Sequence, residues 1–388
     1  GAMAGKGVSR LTKRVRTEEK LLMTCGASAG LAAAFNAPLA GVLFSLEELH
    51  KNFSLDVLLP AMASSITADV ISRYIFGLKP VFDFSGIAMM PLKNYWLVPV
   101  LGLILGLFGV LYNLCVDKAQ NLYDKIKIPY IKTAIPFVLA GILGFVWPAV
   151  LGGGHGLIAG LTGQTALWGL LGLLAVRFAY SILSFSAGVP GGIFLPLLVL
   201  GAVAGSLVGG TAAAVGLDVH LENFVILGMA GYFAAVVRAP VTGILLICEM
   251  TGTLSHMLSL AMVSLIAYAT ADLLRSKPIY DQLLHRMLRK RRPEAEKAAS
   301  GDKVLVNAPV HLGAPACGKR IGDVSWPAGC LIVSVRRGEE ELVPKGNTRL
   351  RAGDDITVLC DEYHSEEVYR ALEEQCKSTV IPRRTHLK

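Results

Sequence analysis

Charge is scarce in this sequence. Only 17% of its 388 residues are Asp, Glu, Lys or Arg, while 53% are hydrophobic; a soluble chain carries about a quarter charged. Between Lys132 and Asp218 the single such side chain is Arg177. No water-facing fold keeps so long a stretch solvated with one charge, and lipid is the simplest solvent for it. The seven cysteines are odd in number and include no CxxC pair, which argues against a disulfide framework or a zinc site. A phosphate-binding glycine loop, a nucleophile–base triad and metal-ligand spacing are all missing, so the residues point to no enzyme, no cofactor and no metal. No signal-peptide pattern precedes the first apolar segment, and the chain opens on Gly-Ala-Met-Ala-Gly as though already inside a helix.

The charge that is present is basic, with a formal net of +8. It clusters from Lys6 to Lys20 and from Arg286 to Arg292, the second run directly after the last apolar segment. Basic runs flanking apolar helices mark cytoplasmic ends by the positive-inside rule, which is preferred here over a nucleic-acid partner.

Apolar segments fall at about 21–49, 55–76, 95–116, 134–151, 156–186, 193–215, 221–250 and 255–274. A membrane crossing takes roughly 20 residues, so the segments around Asn36-Ala37-Pro38 and Arg238-Ala239-Pro240 must each contain a break. Non-helical backbone at membrane depth is tolerated only against protein or a watery cavity, and broken helices are where transporters hold their ions. Gly201, Gly205 and Gly209 recur at the spacing that lets helices approach closely. Residues 26–49 align without gaps on 228–251 at a constant offset of 202, with eight of 24 positions identical. The shared string is A-P-x-x-G-x-L-x-x-x-E, pairing Ala37-Pro38 with Ala239-Pro240 and Glu47 with Glu249. Such a duplication, with prolines interrupting corresponding helices, is the pattern of secondary transporters.

The expected organisation is a transmembrane domain over 1–290, a polar linker over 291–303 and a small soluble α/β module over 304–388. In the last, VLVNAPV, CLIVSVRR, ELVP and DITVLCDE read as strands and Ser365 to Cys376 as a helix. Gly346 to Asp355 reads as a turn-rich connector.

Several residue types suggest chemistry. Gly191-Gly192 precede the apolar run that opens Ile193-Phe194-Leu195-Pro196, so free amides near Ile193 and Phe194 lie at the positive end of a helix dipole and hold an anion without a full charge. From the residues alone, a glycine hinge and an interfacial tyrosine at Tyr280 are equally good readings. Glu47 and Glu48 end an apolar helix, where a carboxylate is costly without a partner or a task. Glu47 and Glu249 read as structural, each satisfying backbone or an arginine such as Arg238. His155 reads as a loop histidine rather than a proton relay.

Four strings in order, GLAAAFNAPLAGVLFSLEE at 30–48, SAGVPGGIFLPLLVLGAVAG at 186–205, RAPVTGILLICEMT at 238–251 and KPIY at 277–280, resemble the CLC family of chloride channels and chloride/proton antiporters. The likeness implies an all-α polytopic membrane fold with inverted repeats, dimeric, in a bacterial inner membrane. It further implies that amides at Gly192, Ile193 and Phe194 and the hydroxyl of Tyr280 contact chloride, and that Glu48 is the inward-side proton carrier. That glutamate favours an antiporter over a passive, voltage- or pH-gated channel. Tyr280 argues against the fluoride-selective branch, which lacks this tyrosine. A GSGIP-type motif and a GxEGP motif with its gating glutamate are expected upstream of Gly1. Residues 304–376 resemble the TrkA C-terminal module of potassium-conductance regulators, which implies a cytoplasmic regulatory domain with a small ligand or a role in dimer stability. The same module raises a distant alternative, a potassium transport subunit.

Overall fold

In the computed structural model, the described residues are 1–14, 16–50, 55–77, 80–82, 84, 86–161, 166–189, 191–291, 303–327, 329–338, 340–361 and 365–377. The chain divides into two compact units at Leu284/His285. The expected linker lies almost wholly outside the described residues.

The first unit is helical. Its elements are α1 (Ala2–Leu11), α2 (Arg16–Phe35), α3 (Pro38–Phe44), α4 (Leu55–Phe76), α5 (Leu97–Lys125), α6 (Pro129–Val146), α7 (His155–Gly160), α8 (Leu167–Ser186), α9 (Phe194–Ala214), α10 (Leu221–Val237), α11 (Pro240–Thr251) and α12 (Met257–Leu273), with α13 (Ile279–Arg291) running on from it. Helices α4, α5, α8 and α9 are long and apolar enough to cross a membrane, and α10, α11 and α12 are apolar but shorter. The apolar segment 156–186 is divided between α7 and α8, and residues 162–165 lie outside the described residues.

Helix α10 is buried on all sides from Asn223 to Val237, as a helix apolar around its whole circumference must be. It packs along α9, α5, α11 and α12. The closest approach, to α9, is made by glycines: a Cβ on Gly201 would strike the Gly228 carbonyl, and one on Gly205 the Phe224 carbonyl. Only glycine lets two backbones pass so near, and in lipid that dispersion contact replaces the hydrophobic effect as the driving force.

Both breaks lie where the sequence places them. Helix α2 stops at Asn36 (φ 51°) and α10 at Arg238 (φ 72°), left-handed positions that end helices. The next residues, Ala37 (φ −127°, ψ 73°) and Ala239 (φ −114°, ψ 75°), have nearly the same conformation. Pro38 and Pro240 then open α3 and α11 at the one helical position where a missing N–H costs nothing. The offset of 202 therefore holds in backbone geometry as well as in sequence.

The second unit has a four-stranded antiparallel sheet, β1 (Lys303–Pro309), β2 (Cys330–Arg337), β3 (Glu340–Leu342) and β4 (Asp354–Asp361), in the order β1-β4-β2-β3. Helix α14 (Ser365–Cys376) adds Val368, Leu372 and Cys376 to a core with Val335, Ile356, Val358 and Leu350. Three strands and the helix match the sequence reading, and of the ELVP strand only Glu341 and Leu342 lie in β3; among the described residues the α/β expectation sharpens to a wholly antiparallel sheet with α14 packed on it.

Candidate functional site

Helix α9 begins at Phe194 with Ile193 as its N-cap, and no side chain caps it. The first-turn amides of a helix have no acceptor within it, and Pro196 removes one donor from that turn. Ile193 and Phe194 are 4% and 8% exposed, so these amides sit inside the protein. The Phe194 ring lies 4.8 Å from Phe35 at the end of α2, 5.0 Å from Phe233 of α10 and 6.3 Å from Phe44 of α3. Phe44 in turn meets the Tyr280 ring edge-on at 5.8 Å. The aromatic chain thus links the end of the first broken helix, the start of α9 and the start of α13, with Phe44 standing between the Phe194 and Tyr280 rings.

Directly after Phe44, α3 widens into a π-helical turn, Ser45–His50, a distortion common at functional positions. It carries Glu48, which is 8% exposed and within electrostatic reach of the Tyr280 phenol. Tyr280 is thus adjacent both to the Phe44 ring and to the charge of Glu48.

Glu47 points elsewhere. Its Oε2 accepts from the Thr242 amide at 2.9 Å and the Thr242 hydroxyl at 2.7 Å. Glu249 accepts from the Leu39 amide at 3.0 Å and the Ala40 amide at 2.8 Å. Arg238 lies apart from both: its guanidinium donates to the Tyr268 and Ser276 carbonyls and to Asp272. The sequence reading that offered Arg238 as a partner for these glutamates is corrected on this point, because the left-handed turn at Arg238 aims its side chain at α12.

The structure also singles out a residue the sequence flagged only by its isolation. Arg177 is 4% exposed and donates to the carbonyls of Ala149, Val150 and Gly152. It lines a cavity of about 150 Å³ together with Ser181, Ser184, Gly191, Gly192 and Ile193. An ionised side chain at membrane depth signals function by default, and its solitude between Lys132 and Asp218 was the signal available. His155 opens α7 and sits exposed against the Phe82 ring at 5.4 Å. Among the described residues no cluster of His, Cys, Asp or Glu has the arrangement of a metal site.

Residues 1–272 match the family model described as voltage gated chloride channel, and residues 305–373 match the TrkA-C domain. Among curated proteins the chain is 36% identical over 308 residues to the H(+)/Cl(-) exchange transporter ClcA of Salmonella typhi, covering 76% of this chain and 64% of that protein. The chain therefore spans under two thirds of the length of that relative. Among solved structures it resembles a slow cyanobacterial Cl−/H+ antiporter with a TM-score of 0.69 at 28% identity, covering 75% of this chain and 70% of the other. A CLC-type fluoride/proton antiporter shares the fold, with a TM-score of 0.59 at 24% identity over 72% of this chain and 70% of the other.

Proposed function

The chain belongs to the voltage gated chloride channel family, and from that premise we propose that it carries chloride across a bacterial inner membrane in exchange for protons. The observation that carries the proposal is the convergence at the start of α9: uncharged amides at Ile193 and Phe194, the Phe194 ring packed against Phe35, Phe44 and Phe233, Tyr280 reached through Phe44, and Glu48 on the turn that follows. Helix-end amides hold a halide by partial charge, tightly enough to strip water and weakly enough to release it. Gly192, with no side chain, leaves the approach to those amides open. Tyr280 adds a hydroxyl donor and favours chloride over fluoride. Glu48, a carboxylate in a low-dielectric setting, is the group that takes and yields the proton. The similarity to chloride/proton exchangers and the glutamate at position 48 support exchange over passive conduction.

The protein acts as a homodimer with an anion pathway in each subunit. Its basic ends, Lys6 to Lys20 and Arg286 to Arg292, face the cytoplasm and hold the TrkA-C unit there, where it tunes transport. In proteoliposomes, Glu48→Gln abolishes proton uptake while chloride flux persists. Proton uptake equal to wild type removes Glu48 from the pathway, and a wild-type reversal potential insensitive to the pH gradient replaces exchange with a channel.

A further inference from the structure

The carboxylates of Glu47 and Glu249 do something that neither repeat does for itself. Helices α3 and α11 both begin with alanine as N-cap and proline as first residue, and neither has a side-chain cap of its own. A helix so begun leaves its second and third amides without acceptors, a cost usually met by a Ser, Thr, Asp or Asn at the N-cap. Here the acceptor arrives from the other repeat. Glu249, near the end of α11, takes the amides of Leu39 and Ala40 at the start of α3. Glu47, just beyond the end of α3, takes the amide of Thr242 at the start of α11. Ala40 and Thr242 are themselves related by the offset of 202, so the exchange is reciprocal and antiparallel, and each negative charge lies at the positive end of the other helix.

The segment from Leu39 to Glu47 is thereby fastened to α11 at both ends. The residue that follows is Glu48, buried on the π-helical turn. Loss of either fastening frees the turn to rotate or slide, because α3 has only seven residues and so short a helix has little stability of its own.

We propose that Glu47 and Glu249 form an interrepeat clasp whose task is to position Glu48, making both of them positioning residues for proton coupling. The inference rests on the reading of Glu48 as proton carrier. Wild-type protein in liposomes, assayed for chloride and proton flux together, separates the two ideas: uncoupled wild-type flux defeats that reading, whereas coupled wild-type flux leaves the clasp to be judged by its variants.

The chemistry of the two glutamates predicts an asymmetry. Glu47 accepts both bonds on one oxygen, which a glutamine amide oxygen reproduces. Glu249 uses both oxygens, so a glutamine there sets an NH2 against a backbone N–H. Glu47→Ala and Glu249→Gln are therefore expected to lower the proton-to-chloride flux ratio by about fivefold, the shift that loss of a typical N-cap permits. Glu47→Gln is expected to recover most of the ratio. A purely structural role lowers both fluxes in proportion and leaves the ratio unchanged; that result, or equal effects of the two glutamine variants, overturns the proposal. If Glu249→Gln fails to fold, the ratio in Glu47→Ala against Glu47→Gln decides alone.

Discussion

At the scale of single residues, one buried charge makes a prediction independent of transport. Asp354 is 1% exposed at its side chain and pairs with Arg337. Arg337 donates from Nε to Oδ1 and from Nη2 to Oδ2, both at 2.8 Å, and the Arg351 amide adds a third bond at 2.8 Å. Burial pushes the carboxyl up, but these bonds and the charges of Arg337 and Arg351 outweigh it and hold it below the usual carboxylate range. A carboxyl that is more acidic folded than unfolded binds fewer protons when folded, so its contribution is complete above about pH 5 and is lost as pH falls through about 4 toward the folded value. Urea unfolding of the second unit should show this loss, and Asp354→Asn should flatten that limb of the pH profile. Arg337→Ala leaves a buried carboxylate without its partner and should cost about 3 kcal/mol at pH 7 in the same experiment. The turn-rich stretch from Gly346 to Asp355 that holds Asp354 was legible in the sequence. The partner of Asp354, Arg337, was not, because a strand register across 17 residues chose it.

At the scale of elements, the contact between α9 and α10 turns on glycine. Gly205→Val should displace α10 by placing side-chain atoms on the Phe224 carbonyl, at a cost of about 1–3 kcal/mol for overpacking; a lower melting temperature in detergent measures it. Position 207 on the same helix, Leu207, is only partly buried and should accept Met with little change. The recurrence of Gly201, Gly205 and Gly209 announced a close helix contact, yet spacing on one helix cannot name the other. The breaks were more fully readable. Proline in an apolar run fixes where a helix starts, and repetition at an offset of 202 made each break evidence for its partner. What the repeat did not disclose is that the carboxylates are exchanged between the halves.

At the scale of the whole molecule, the cores are built from separate stretches of chain: a large cluster and a smaller one around Cys25, Val42 and Leu46 in the helical unit, and another in the sheet unit. Residues 303–377 should therefore fold when expressed alone and melt in a single cooperative step, monitored by far-UV circular dichroism. Fragmented or non-cooperative melting would mean that its core depends on the helical unit.

The sequence by itself determined that this chain lives in lipid, that it is doubled, where its helices break and that a small strand-bearing unit follows them. Each of these follows from composition or from a short-range rule: solvation of charge, the missing N–H of proline, the period of a strand. Tertiary structure alone decided which distant groups meet. It set Phe44 between Phe194 and Tyr280, gave Arg177 to the carbonyls of Ala149, Val150 and Gly152, turned Arg238 toward α12 and sent Glu47 and Glu249 across to each other's helix. The physical reason is that an unsatisfied amide or carboxylate in lipid must find a partner, while the sequence states only the need and the fold supplies the neighbour.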